Sequence, residues 1–328
     1  MFSPQDIDVF IMTHNRASYL KSSVNSLLWQ SVKGFNLTIL DNASTDDTKA
    51  VAESFAAAGV KYVQTPQEEG IAANFNAAQR LARAKYVMIF HDDDLLHPQY
   101  IETAINALNK FGEVNLILSA CFRFNGDADP VISADLKKSF YIFENSGELA
   151  AYMYRFGGVC YASALYKTEI FKNADTELEK YGKNNDWPFL INVAGQSKVI
   201  YIKDKMAEFT RVHGGQDTTN PNTGITIRQL LNWQKLYFDK CAADNDGVYG
   251  RVFISRVYND MKAKYDFWTK NFQKEEYSWP VVVDMAKKEG LLSPLSIQCG
   301  LRRHSLWARL STFVYRNTKQ YLPKEVKL

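Results

Sequence analysis

The sequence predicts an α/β fold: a mostly parallel sheet flanked by helices, with a helical C-terminal extension. Three observations predict it. Short apolar runs alternate with helical stripes over the first 120 residues. Polar residues follow those runs, with more carboxylates than plain turns would need. Beyond residue 224 strand-like runs give way to stripes such as Leu230, Trp233, Leu236 and Tyr237.

Each element follows from its residues. Val9-Phe10-Ile11-Met12 is the continuous apolar run of a strand buried on both faces. Leu20, Val24, Leu27 and Leu28 then form one helical stripe, and Leu37-Thr38-Ile39-Leu40 a second strand. The next helix is expected to start at Ser44, with Asp47 completing a capping box, and to bury Val51, Ala52 and Phe55. Val60 to Val63 is the third strand. Ala73, Ala77, Leu81 and Ala84 give another stripe, and Tyr86 to Phe90 the fourth strand. A helix over residues 99–111 leads to a fifth strand at Leu116-Ile117-Leu118. Further on, helices are expected over 146–155 and from Asp186, and strands over 160–166, 198–202 and 207–211. A polar loop over 214–224 follows. The length of 328 residues suits one large α/β domain plus an appendage.

The formal net charge of +3 argues against a general nucleic-acid binder. From Gly300 onward, seven Lys or Arg residues face one acid, Glu325, and alternate with Leu301, Leu306, Trp307, Leu310, Phe313 and Val314. That pattern suits an amphipathic helix on an anionic membrane surface, or a helix packed on the main domain with a solvated face. Cys121, Cys160, Cys241 and Cys299 fit no zinc spacing. Without a signal segment or an 18-residue apolar run, the expectation is a reduced cytoplasmic protein, or one held peripherally on the cytoplasmic face of the inner membrane.

In sheets of this kind ligands gather beyond the carboxyl ends of the strands, so the residues there carry the chemistry. Asp92-Asp93-Asp94 follows the fourth strand. Three adjacent carboxylates repel one another unless they are solvated or share a cation. The alternatives are a site for a hard divalent ion and nucleotide, or a solvated helix-capping turn. Asp41 and Asn42 end the second strand, where they would contact a ribose or base edge or form an Asx-turn. Thr13, Asn15 and Arg16 end the first, suiting phosphate or base contacts, or helix capping. Asp186 alone reads as a helix N-cap. His213 alone reads as structural, and Gly157-Gly158 as a turn or part of an acceptor pocket.

Taken together, these motifs resemble the inverting family-2 glycosyltransferases of the GT-A type. Ile11-Met12-Thr13-His14-Asn15-Arg16 is similar to their opening motif, and Leu40-Asp41-Asn42-Ala43-Ser44-Thr45-Asp46 to their second. Gly70 with Asn74-Phe75-Asn76, and the stretch from Tyr86 to Asp94, resemble the third and fourth. The likeness is close over about the first 100 residues, looser to about 215, and does not extend to the last hundred. It implies a GT-A domain over 1–220, with a nucleotide-binding half (1–120) and an acceptor half (121–220), and a helical extension over 221–328.

The resemblance also implies roles. Asp41 and Asn42 would hold a uracil or thymine nucleoside, with Thr13, Asn15, Arg16 and Asn74 lining the donor pocket. Asp92 would touch the donor. Asp93, with Asp94 and His213, would hold Mg²⁺ or Mn²⁺. His91 stands where many relatives have the first Asp of the metal motif, so this chain departs from the strict Asp-x-Asp form. Asn184-Asn185-Asp186-Trp187 keeps only the Asp of the family's Glu-Asp pair, and Asp186 would be the general base. An inverting transfer needs one such base. The implied reaction moves a hexose-type sugar from a UDP- or dTDP-sugar to a saccharide or lipid-linked saccharide acceptor in surface polysaccharide synthesis. A sugar-1-phosphate nucleotidyltransferase should carry a glycine-rich basic loop after the first strand, which Thr13-His14-Asn15-Arg16 lacks. A non-catalytic binding protein on the same fold is the other alternative.

Overall fold

The computed structural model of the chain describes residues 1–66, 72–132, 135–182, 185–213, 226–243, 257–266, 269–270, 277–301 and 323–328. The apolar run around Val9 forms β1 (Ile7–Thr13), followed by α1 (Ala17–Leu28), β2 (Asn36–Asp41), α2 (Thr48–Glu53), β3 (Lys61–Gln64) and α3 (Ala73–Leu81). Then come β4 (Tyr86–His91), the two-residue β5 (Leu95–Leu96), α4 (Tyr100–Phe111), β6 (Leu116–Ser119) and β7 (Cys121–Asn125). The second half adds β8 (Ser139–Phe143), α5 (Ser146–Phe156), β9 (Cys160–Lys167), α6 (Thr168–Lys172), α7 (Leu178–Tyr181) and α8 (Asp186–Ala194). β10 (Val199–Ile202), β11 (Glu208–Val212), α9 (Ile227–Ala243), helices Trp279–Lys288 and Pro294–Leu301, and β12 (Lys324–Lys327) complete it.

Among the described residues the main sheet has nine strands in the order β12-β8-β10-β6-β9-β4-β1-β2-β3. β3, β2, β1 and β4 run parallel, as do β6 and β10. β9 is antiparallel to its neighbours β4 and β6, and β8 to its neighbours β10 and β12. The alternation of the pleat sorts side chains onto two faces. Val9, Ile11, Met88 and Phe90 point into one core, covered by Leu20, Val24 and Leu27 of α1 and Ile101, Ala104 and Leu108 of α4. Phe10, Val87, Ile89 and Leu118 point into the other, covered by α3, α5, α8 and α9. Both faces are covered, which is why the middle residues of the central strands are apolar.

Several elements differ from the sequence expectation. The second helix begins at Thr48, not Ser44, because the Ser44 hydroxyl turns back to Asp41 while Asp46 caps the Thr48 N–H; Phe55 lies beyond the helix, partly buried beside Ala52. Ala73 and Ala77 are buried as expected, but Leu81 is 40% exposed and Ala84 lies past the helix end; Phe75 and Ala78 complete the buried face of α3. β9 inserts between β4 and β6, so the expected fifth strand is not next to the fourth. β5, β7, β8 and β12 were not expected; all are short or edge-placed, where periodicity is weak.

The C-terminal helices pack on the shared core. Leu231, Tyr237, Val257, Met261, Val282 and Ala286 join the face lined by α3, α5 and α8. β12 then pairs antiparallel with β8, and Glu325 meets Lys203 at 2.7 Å. Residue 220 therefore marks a change of sequence pattern, across which the packing is continuous. The tail stretch proposed to lie on a membrane (306–314), the loop over 214–224 and Gly70 fall outside the described residues. Among the described residues no helix is long and apolar enough to cross a membrane.

Candidate active site

The loops that leave β1 and β2 are locked together by hydrogen bonds from both chains. Asn42 N–H donates to Thr13 O at 3.0 Å, and Asn15 N–H to Ser44 Oγ at 2.8 Å. Thr45 N–H donates to Asn15 Oδ1 (2.7 Å), Ala17 N–H to Asp46 Oδ2 (3.2 Å) and Arg16 N–H to Thr48 Oγ1 (3.1 Å). Asn15 and Ala43, both at φ 52°, adopt the left-handed conformation that favours glycine. For Ala43 that is a strained choice, of the kind that persists where surrounding bonds fix the backbone.

Within this cradle Asp41 is fully buried. Its Oδ1 accepts from Ser44 N–H and Oγ (3.0 and 2.5 Å), and its Oδ2 from Tyr62 Oη (2.7 Å). A carboxylate has about four acceptor positions, so one on Oδ2 has no donor among the described residues. Asn74 is also buried. It accepts from Thr65 Oγ1 (2.9 Å) and donates to Thr13 O (3.2 Å), which ties the ends of β1 and β3. Thr13 Oγ1 has no hydrogen-bond partner of ordinary geometry among the described residues, though it lies close enough to Asp92 to favour its ionised form.

The aspartate turn joins β4 in the large sheet to β5 in a second sheet of order β5-β11-β7. With both ends held by strands, the turn cannot swing its side chains into solvent. Asp92, Asp93 and Asp94 are 7, 9 and 2% exposed, which excludes the solvated-turn alternative. Burial, and then the neighbouring Asp93, push the Asp92 carboxyl up to about 7. Burial, with Glu208 and Asp93 nearby, holds Asp94 well above the usual carboxylate range.

β11 supplies the groups around this turn. Arg211, buried almost completely, donates its N–H to Asp94 Oδ1 (3.1 Å), Nε to Asp93 O (3.3 Å) and Nη1 to Gly126 O (2.7 Å), and pairs with Asp129. Its guanidinium carbon lies 5.1 Å from the Tyr19 ring centre and 4.6 Å from that of Phe124. Glu208 is fully buried, and burial raises its carboxyl to about 7. Its Oε1 accepts from Cys160 Sγ at 2.7 Å, and its Oε2 has no partner of ordinary geometry among the described residues.

Just past β11, His213 Nε2 lies 2.8 Å from Asp93 Oδ2 and 2.8 Å from Arg16 Nη1, and Arg16 Nη1 lies 3.3 Å from the same Oδ2. Nε2 either accepts from Arg16 or, protonated, donates to Asp93; the tautomer selects between them. The Tyr19 ring packs 4.9 Å from the imidazole. On the opposite side His91, the last residue of β4, brings Nδ1 within 3.6 Å of Asp94 Oδ2. His91, Asp93 and Asp94 each offer one ligand atom, all within 4.8 Å of one another. Two carboxylates and an imidazole are a donor set that fits a divalent cation, and the raised Asp94 marks negative charge that a cation would balance.

Asp186 is the first residue of α8 and is exposed; the N-cap position belongs to Asn185. Its charge helps hold the buried Tyr161 phenol above its ordinary range, after burial itself. The Tyr161 ring in turn packs 5.9 Å from His91. Gly157 and Gly158, at φ 63° and 70°, end α5, and a Cβ at Gly157 would meet Trp187 at 3.5 Å.

Arg16, Asp92, Asp93, Asp94 and His213 thus converge. Thr13, Asn15, Asp41, Asn42 and Asn74 form the adjoining cradle, and Asp186 stands on a separate element whose link to the turn runs through Tyr161 and His91. Sequence reasoning missed Arg211 and Glu208, two charged residues on the five-residue strand Glu208–Val212 that folding buries. It also passed over His91 as a ligand, which reads in sequence only as a missing Asp.

A model of the family described as glycosyl transferase family 2 matches residues 8–174. The chain is 22% identical over 218 residues to the glycosyltransferase GlyA of Streptococcus pneumoniae, which covers 63% of this chain but spans only 30% of GlyA. It is 23% identical over 208 residues to the uncharacterized glycosyltransferase MJ1057 of Methanocaldococcus jannaschii, covering 62% of this chain and 70% of that protein. Among solved structures, S. aureus TarS in complex with UDP superposes with a TM-score of 0.57 at 16% identity, over 89% of this chain and 80% of the TarS chain. At that identity the likeness is one of fold: a mostly parallel sheet of the GT-A type, flanked by helices.

Proposed function

The chain belongs to glycosyl transferase family 2, and we propose that it moves a sugar from a nucleoside-diphosphate donor to a saccharide acceptor, with inversion at the anomeric carbon. The observation that carries this reading is the aspartate turn: three buried carboxylates at the carboxyl end of β4, two of them raised. Such a cluster is costly in an empty pocket and favourable around a cation and diphosphate. Asp93 and Asp94 are the carboxylate ligands, with Mg²⁺ or Mn²⁺ as candidate ions. The ion's contribution, once bound, is to neutralise the departing diphosphate.

The chain's own residues supply the rest. Thr13, Asn15, Asp41 and Asn42 frame the nucleoside, with UDP or dTDP as donor. TarS, of the same fold, binds UDP and UDP-GlcNAc, which favours UDP. Asn74 holds the frame shut behind them. Arg16, now on Asp93, is within reach of a diphosphate. Asp186 accepts the proton of the acceptor hydroxyl as its oxygen bonds to the anomeric carbon, while the bond to the diphosphate breaks on the opposite face. The acceptor class we favour is a saccharide or lipid-linked saccharide in surface polysaccharide synthesis, with the protein in the cytoplasm or peripheral to the membrane through its basic tail.

Calorimetric titration with UDP and dTDP, each with and without Mn²⁺, tests the donor site. The expected result is metal-dependent binding of one nucleotide, lost in Asp93→Ala. Binding of neither nucleotide under any condition would sink the UDP or dTDP assignment and favour another nucleotide such as GDP, or a non-catalytic role.

A further inference from the structure

We infer that His91 is a nitrogen ligand of the cation at the aspartate turn, so that the site selects transition-series divalent ions over Mg²⁺. The inference rests on the donor-site reading above and deepens it. Its ground is the convergence of His91, Asp93 and Asp94. Their ligand atoms lie within 4.8 Å of one another, and His91 Nδ1 is 3.6 Å from Asp94 Oδ2. A six-coordinate ion with bonds of about 2.1 Å sets neighbouring ligand atoms roughly 3 Å apart and opposite ones roughly 4.2 Å apart. The His91–Asp94 pair at 3.6 Å falls between these two values, and the 4.8 Å limit on the whole set lies a little above the upper one.

The surroundings favour His91 over the other nearby imidazole. His213 is tied to Arg16 and Asp93 at 2.8 Å each and packs against Tyr19. It lies on the Arg16 side of Asp93 and outside the converging trio. His91 ends a central strand, so its backbone is fixed by β1 on one side and its ring position by Tyr161. Arg211 holds the Asp94 carboxylate and the Asp93 carbonyl from behind, which pre-orients both acids.

The chemical consequence follows from ligand type. Mg²⁺ takes oxygen ligands and keeps its water; imidazole nitrogen suits later divalent ions, and affinity rises from Mn²⁺ to Co²⁺. Replacing an oxygen ligand by imidazole thus biases the site against Mg²⁺ without changing its two carboxylates.

The test is direct detection of nitrogen on bound Mn²⁺ by pulsed electron paramagnetic resonance, in wild type, His91→Ala and His213→Ala, each with UDP present. Nitrogen coupling in wild type and His213→Ala, absent in His91→Ala, is expected. Metal titrations should give Mn²⁺ and Co²⁺ affinities at least about tenfold above Mg²⁺ in wild type, with the gap narrowed in His91→Asp. Coupling lost in His213→Ala and kept in His91→Ala overturns the assignment, as does its absence from wild type that still binds UDP. A protein that binds neither Mn²⁺ nor UDP overturns the donor-site reading together with it.

Discussion

At the residue scale, the proposed base Asp186 offers a way to separate catalysis from binding. It stands at the start of α8, exposed, and on a different element from the aspartate turn. Removing its charge should therefore leave the donor site intact. Asp186→Asn is expected to lower kcat by roughly 10²–10⁴-fold, the contribution of a positioned general base. Its UDP affinity should stay within about twofold of wild type, as read by calorimetry. Unchanged turnover would remove Asp186 from the mechanism. The sequence made this residue visible only through its place in a motif, because one acid at a helix start is most simply a cap. The aspartate triplet was legible from its position after a strand. Its burial was not, because burial depends on β11, which arrives more than 110 residues later through Arg211. His91 shows the same limit: its identity is local, while the company of its side chain is tertiary.

At the element scale, the two cradle loops act as one unit. Asp46 is a hinge pin between them. Its Oδ1 accepts from Thr48 N–H and Oγ1 at 3.0 and 2.5 Å, capping α2, and its Oδ2 accepts from Ala17 N–H at the start of α1. Asp46→Ala leaves two helix-terminal donors without partners and should cost about 1 kcal/mol. It should also weaken nucleotide binding, since the bond that ties this loop to the start of α1 is lost. Asp46→Asn keeps one acceptor oxygen and should recover most of the cap. Thermal melts and UDP titrations of the two variants check this; equal loss in both would mean that charge matters more than capping. The strands and helices of this half were readable because the 2.0 and 3.6 periods are local. The interlock was not, and the expected helix start at Ser44 failed for that reason. Ser44 serves Asp41, across the loop, instead of the helix ahead of it.

At the scale of the whole molecule, two dry cores hold the sheet, and the buried acids are charged against them. Asp92 and Glu208 are each raised to about 7, and Asp94 is raised as well, all chiefly by burial. In the unfolded chain such carboxyls ionise near pH 4. Between there and about pH 7 the folded protein therefore binds more protons than the unfolded one. Stability falls as pH rises through that window, and the full penalty remains above it. Glu208 tests this best, because it accepts from a thiol and touches no proposed ligand of the nucleotide. Glu208→Gln should leave stability at pH 4 little changed, raise it at pH 8 by on the order of a few kcal/mol, and flatten the slope between. A cation balances the same charge once the protons have left, so Mn²⁺ should raise the melting temperature of wild type more at pH 8 than at pH 5.5. Melts of both proteins across this range, with and without Mn²⁺, decide the matter. If Glu208→Gln is less stable than wild type at pH 8, the buried carboxylate is stabilised by its partners, and the acids of β4 and β11 do not share one electrostatic load.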